Sequence, residues 1–345
     1  MYEKLVTFEE EKRKEHLYLL FNSFFICACL ICVLEVVFKA PFLLTDDISN
    51  DGVRWFIETL IRPWCSAMAV FIPFFIYNVR QETPFKNKLR PEINKAEPIY
   101  YILGAVAVAA AVPFFVYLGD LFSGYMISKG YVIHEIYPEV GNGFAANIFY
   151  ALYTAAVTSV FLELSFRGVV AEKLVKAHMA LVLIVPALIS SLYTHSFIKM
   201  PYLFVTSLII SWCYVKTKSL YLSMALNFTA SVAFSAVCVL KLNYEGFYSA
   251  NIQSVAVICA LICFGAFALL AVLKGIKLQY PEPKDADEAY ERLTGKEAFF
   301  GLIKSFAFWI VIFMLMFQLL FSYLDKPMRI ESESDMESGY LTQTE

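Results

Sequence analysis

The chain has 345 residues, of which 59% are hydrophobic and only 17% charged, and its mean hydropathy is +0.61. Soluble domains carry nearer a quarter charged residues, so a water-soluble globular enzyme is excluded. The formal net charge of −3 singles out no partner; the lipid bilayer is the expected environment, and nucleic acid is not an expected partner.

The opening stretch, Met1 to His16, is charged through Glu3, Lys4 and the run Glu9 to Lys14. A full-length apolar span follows it, so it does not read as a cleavable signal peptide. Apolar runs of about 20 residues, enough to cross a bilayer, then recur. They lie at roughly 17–38, 55–78, 99–121, 145–170, 179–198, 201–216, 219–240, 253–273 and 298–323. The pattern predicts an all-α fold, a polytopic transmembrane helix bundle of about nine spans. The sixth run is short, which suits a tilted or shallow helix. No internal repeat divides the chain.

Lys and Arg gather at 1–16, 79–97, 171–178, 216–218 and 274–297, and are sparse at 39–54, 122–144, 199–200, 241–252 and 324–345. This alternation predicts a cytoplasmic N-terminus and an outside C-terminus. Four stretches follow: 1–144 with about three spans, a motif-bearing core at 145–240, further spans at 241–324, and a disordered acidic tail at 325–345, with Glu331 to Ser338 its most acidic part. The mixed-charge segment 275–297 reads as a cytoplasmic connection with a short amphipathic helix. Eight cysteines, at 27, 29, 32, 65, 213, 238, 259 and 263, lie in or beside apolar runs. They read as small buried hydrophobes, not as a disulfide framework or a metal cluster.

Charge is costly inside hydrocarbon, about 2.5–3.5 kcal/mol per residue on insertion scales. The run Phe161-Leu-Glu-Leu-Ser-Phe-Arg-Gly168 nonetheless holds Glu163 and Arg167 at i,i+4, where each can partner the other. Gly168 would let a neighbouring helix come close. The fifth span ends in Ser190, Ser191, Tyr193, Thr194 and His195, and the seventh carries Ser219, Ser223, Asn227, Thr229 and Ser231. Asn227 and Ser231 share a helix face. Glu35 and the Glu58/Arg62 pair are further intramembrane charges, read as structural or interfacial for the pair. Asp120, near the outer rim, is expected to be solvated.

The order of these residues resembles the CPBP family, the CAAX-protease and bacteriocin-processing (Abi) group of intramembrane proteases. Its pattern is Glu-Glu-x-x-x-Arg, then Phe-x-x-x-His, then His-x-x-x-Asn or Asp. The resemblance covers roughly 145–240. Glu163 and Arg167 match the second Glu and the Arg of the first motif, and His195 matches the His of the second. Departures are Leu162 at the first Glu, Ser191 at the Phe, Asn227 at the third-motif His, and Ser231 at the Asn.

The resemblance implies a glutamate that, assisted by a His, activates water against a peptide carbonyl, with a second His and an Asn stabilising the oxyanion. Glu163, His195 and Asn227 become the catalytic candidates, with Arg167 and Ser231 in support. Leu162 cannot accept a proton; Asn227 and Ser231 can still donate to an oxyanion. No cofactor is needed, and Glu163, His195 and Asn227 make a poor zinc set.

Three readings remain open. One is an endopeptidase acting on membrane-embedded or lipid-modified peptides. Another is a degenerate relative that binds a membrane peptide or membrane-protein partner. The third is a small transporter using Glu35, Glu58 and Glu163. The compact connections suit a bacterial plasma membrane.

Overall fold

The computed structural model describes residues 2–39, 53, 56–81, 89, 96–129, 144–193, 196, 199–275 and 295–321. Among these residues all regular structure is helical. In chain order there are α1 (Tyr2–Lys39), a π segment (Ile57–Ile61) leading into α2 (Arg62–Arg80), α3 (Pro98–Ser128), and α4 (Phe144–Ser165). A second π segment (Phe166–Ala171) continues α4 into α5 (Glu172–Ala177). Then come α6 (Met179–Leu192), α7 (Lys199–Thr217), α8 (Leu220–Asn243), α9 (Glu245–Lys274), α10 (Gly295–Lys304) and α11 (Phe306–Phe321).

Local sequence accounts for several helix ends. Pro98 opens α3 after the extended Glu97, where its missing N–H costs nothing. Ser219 caps α8, its Oγ accepting from the Leu222 N–H at 3.1 Å. His178 Nδ1 accepts from the Ala180 N–H at 3.1 Å at the start of α6. Between α7 and α8, Lys218 takes a left-handed φ of 55°. Its N–H closes the end of α7 on the Tyr214 carbonyl at 2.7 Å. Burial holds the Lys218 ammonium below its ordinary pKa, and the nearby Glu172 charge partly offsets this.

Six helical stretches among the described residues are long and apolar enough to cross a membrane: Tyr18–Phe38, Thr59–Arg80, Pro98–Ser128, Asn147–Val175, Leu220–Lys241 and Gly246–Lys274. The protein is an all-α, polytopic membrane bundle. The helices differ from the apolar runs in several places, of which three bear on the site or the core. α1 starts at Tyr2, so the charged opening stretch is helical too. The helix within the run 179–198 spans Met179–Leu192, and Thr194, His195, Phe197 and Ile198 lie outside the described residues. The run 298–323 is two helices, broken at Ser305, whose Oγ donates to Asn22 Oδ1 at 2.9 Å. Most of the polar connection 275–297 and all of the acidic tail lie outside the described residues.

Two apolar cores fill the bundle. One gathers Phe21 and Phe24 of α1, Phe74 of α2, Phe166 and Val170 of the second π segment, and Val182 of α6. The other gathers Val108 of α3, Trp212 of α7, Leu226 of α8 and Leu270 of α9. α9 packs on α3 and α1 on α11, so segments distant in sequence interleave; α4 against α8 and α6 against α7 join the two halves. Gly104 permits close approach in the second core, since a Cβ there would sit 3.1 Å from Leu226 Cδ2.

At one rim, Asp120 is 18% exposed and pairs with Lys241 at 3.0 Å. It also accepts from the Tyr248 hydroxyl at 2.7 Å, so it is a cross-link between α3, α8 and α9, not a solvated carboxylate. At the opposite rim Lys274 pairs with Glu97. Val257, Ile258, Leu261 and Phe264 of α9 point outward, as a lipid-facing surface requires. All eight cysteines are free, and Cys27, Cys32, Cys213, Cys238 and Cys263 are buried.

Candidate functional site

Glu163 is 0% exposed and Arg167 2%, so both charges lie wholly inside the protein. Two such charges persist there only with close compensation. Arg167 Nη1 donates to Glu163 Oε1 at 2.8 Å. Asn227 Nδ2 donates to the same oxygen at 2.8 Å, from α8. Arg167 Nη2 reaches α7 instead, donating to the Ser207 carbonyl at 2.8 Å, to Ser207 Oγ at 2.6 Å and to Ser211 Oγ at 3.2 Å. One carboxylate and one guanidinium thus tie α4, α7 and α8 together at the seam between the two cores. Arg167 stands in the second π segment.

The pair is not saturated. Glu163 Oε2 and Arg167 Nε are buried and have no hydrogen-bond partner among the described residues. Oε1 is committed to two donors, whereas Oε2 retains full capacity to accept from an N–H or O–H group.

Of the sequence-derived site residues, Glu163, Arg167 and Asn227 meet in hydrogen-bonding contact. Ser231 lies one turn beyond Asn227 on α8, half-buried, with its carbonyl accepting from Ser235 Oγ at 3.0 Å. Thr194 and His195 lie outside the described residues. Among their polar neighbours, Ser190 and Ser191 bond back to the Ala187 and Leu188 carbonyls. The Tyr193 hydroxyl donates to the Ser66 carbonyl of α2 at 3.1 Å. Leu162 is half-buried against the first apolar core. Glu35 is 4% exposed on α1, and the Glu58 side chain lies outside the described residues. Sequence reasoning did not single out Ser207 and Ser211. Their i,i+4 spacing in the short sixth run was the available signal.

The fold and this site define a polytopic membrane protein built round a buried, hydrogen-bonded ion pair where three helices meet. Residues 144–233 match the family model described as Type II CAAX prenyl endopeptidase Rce1-like. That stretch is about a quarter of the chain, and over it the protein is similar to the CAAX-protease group. No curated protein and no solved structure matches the chain.

Proposed function

We propose that this CAAX-protease-like membrane protein binds a membrane peptide or a membrane-protein segment at the α4–α8 seam without cleaving it. One observation carries the reading: Glu163 Oε1 is held by both Arg167 and Asn227 in a fully buried network. A water-activating base needs a free proton-accepting oxygen, a water and the attacked carbonyl in reach. Here the preceding position is Leu162, which accepts no proton, and the carboxylate that remains cross-links helices. Such a network suits a scaffold that recognises polar groups within the bilayer. We propose a bacterial plasma membrane as its location.

A second reading has its own support. Glu163 Oε2 has no partner among the described residues, and an endopeptidase would use that oxygen as the base, with His195 assisting and Asn227 and Ser231 donating to the oxyanion. Mass spectrometry of membrane peptides from cells carrying the native protein or Glu163→Ala, at matched protein levels, separates the two. Identical peptide profiles are the expected result. A cleavage product present only with the native protein overturns the binding reading in favour of the endopeptidase.

A further inference from the structure

Buried polar atoms without partners are rare, and each costs about 1–3 kcal/mol when left so. Three of them form a line here. Ser159 Oγ, Glu163 Oε2 and Arg167 Nε are all buried and unpartnered among the described residues, on side chains 1%, 0% and 2% exposed. They are spaced i, i+4, i+8, so they run along one face of α4 and its π continuation. Asn147 Oδ1 and Thr154 Oγ1, also unpartnered, fall on another side of α4 by the same periodicity.

Glu163 Oε2 and Arg167 Nε have fixed hydrogen-bonding character, and the Ser159 hydroxyl can take either. With Ser159 offering its O–H as a donor, Glu163 Oε2 is an acceptor and Arg167 Nε an N–H donor. The complement of that order is acceptor, donor, acceptor, which is C=O, N–H, C=O along one edge of an extended peptide. In hydrocarbon an unwound segment must find partners for these main-chain groups, because no water supplies them.

We infer that Ser159, Glu163 and Arg167 form one subsite that takes the main-chain amides of an unwound stretch of membrane peptide, with Ser159 as a ligand-contacting residue. The inference rests on the reading of the seam as a peptide-binding site. Access requires α4 and α8 to part, since all three side chains are covered. Parting the helices releases Asn227 from Glu163 Oε1, but Arg167 stays on that oxygen and on α7, so the ligand meets the unused atoms first.

The test uses the full-length protein in phosphatidylcholine–phosphatidylglycerol vesicles. The probe is a synthetic apolar spanning peptide with a central Gly-Gly-Pro break and a 13C=O label at the break. Isotope-edited infrared spectra report hydrogen bonding of the labelled carbonyl, and titration gives the affinity. The native protein is expected to bind and to lower the labelled band's frequency. Ser159→Ala is expected to weaken binding about five- to tenfold and to abolish the shift, while Ser159→Thr, which keeps the hydroxyl, retains both. The melting temperature of free Ser159→Ala is expected to stay level or rise, because the hydroxyl has no partner among the described residues to lose.

Native-like binding by Ser159→Ala together with loss in Glu163→Gln overturns the subsite and leaves the seam reading standing. A lower melting temperature for free Ser159→Ala also overturns it, since the hydroxyl would then serve the apo fold or a structural water. No probe binding by the native protein overturns the subsite and the seam reading together.

Discussion

Arg167 spends its two terminal nitrogens in different directions, one on Glu163 of its own helix and one on Ser207 and Ser211 of α7. Removing it strands a carboxylate that is 0% exposed. Arg167→Met is expected to cost about 3–5 kcal/mol, read as a fall in thermal stability in lipid nanodiscs. Glu163→Gln combined with Arg167→Met is expected to recover most of that loss, because neither partner then leaves a buried charge behind. A double variant as unstable as the single one would show that the two side chains are not energetically coupled.

At the scale of elements, α7 is held by hydroxyls as well as by packing. Ser207→Ala removes a 2.6 Å bond but leaves the Ser207 carbonyl as acceptor for the same nitrogen. Its expected cost is about 1–1.5 kcal/mol by thermal unfolding. Ser211→Ala, which loses a longer contact of 3.2 Å, is expected to cost less. Equal losses from the two would mean that the hydroxyls act through packing alone. The start of α2 depends on a comparable device. The Tyr153 hydroxyl of α4 accepts from Trp64 Nε1 at 2.6 Å and donates to the Leu60 carbonyl at 3.1 Å. Tyr153→Phe leaves both groups without that partner, and a loss of about 1–2 kcal/mol is the expected outcome in the same melt.

Across the whole molecule, the distribution of basic ends predicts a direction for the spans. Arg80 and Lys274 belong to the Lys/Arg-rich set and Lys129 to the sparse one. Arg80→Cys and Lys274→Cys are expected to react with an impermeant maleimide only after permeabilisation, and Lys129→Cys without it. The reverse pattern would invert the orientation. Background labelling is low because the native cysteines are buried or half-buried. The Lys241–Asp120 and Lys274–Glu97 pairs mark the two rims between which α3 and α9 run.

Fold class and the central pair are legible in the chain because both are local. Apolar runs report spans directly, and four residues of helix bring Glu163 beside Arg167 whatever surrounds them. Span ends are less legible: the break at Ser305 answers to a partner, Asn22, at the other end of the sequence. The partners of the pair answer to packing as well. Asn227 is 64 residues from Glu163, and Ser207 is 40 from Arg167. Resemblance pointed to Asn227, but nothing in its spacing made it a donor to Glu163 rather than interhelical glue. The serines of α7 looked like those of any membrane helix. Periodicity tells which residues share a face of one helix; which faces meet is decided by how two apolar cores close on each other, and only that closure turns scattered polar residues into one buried network.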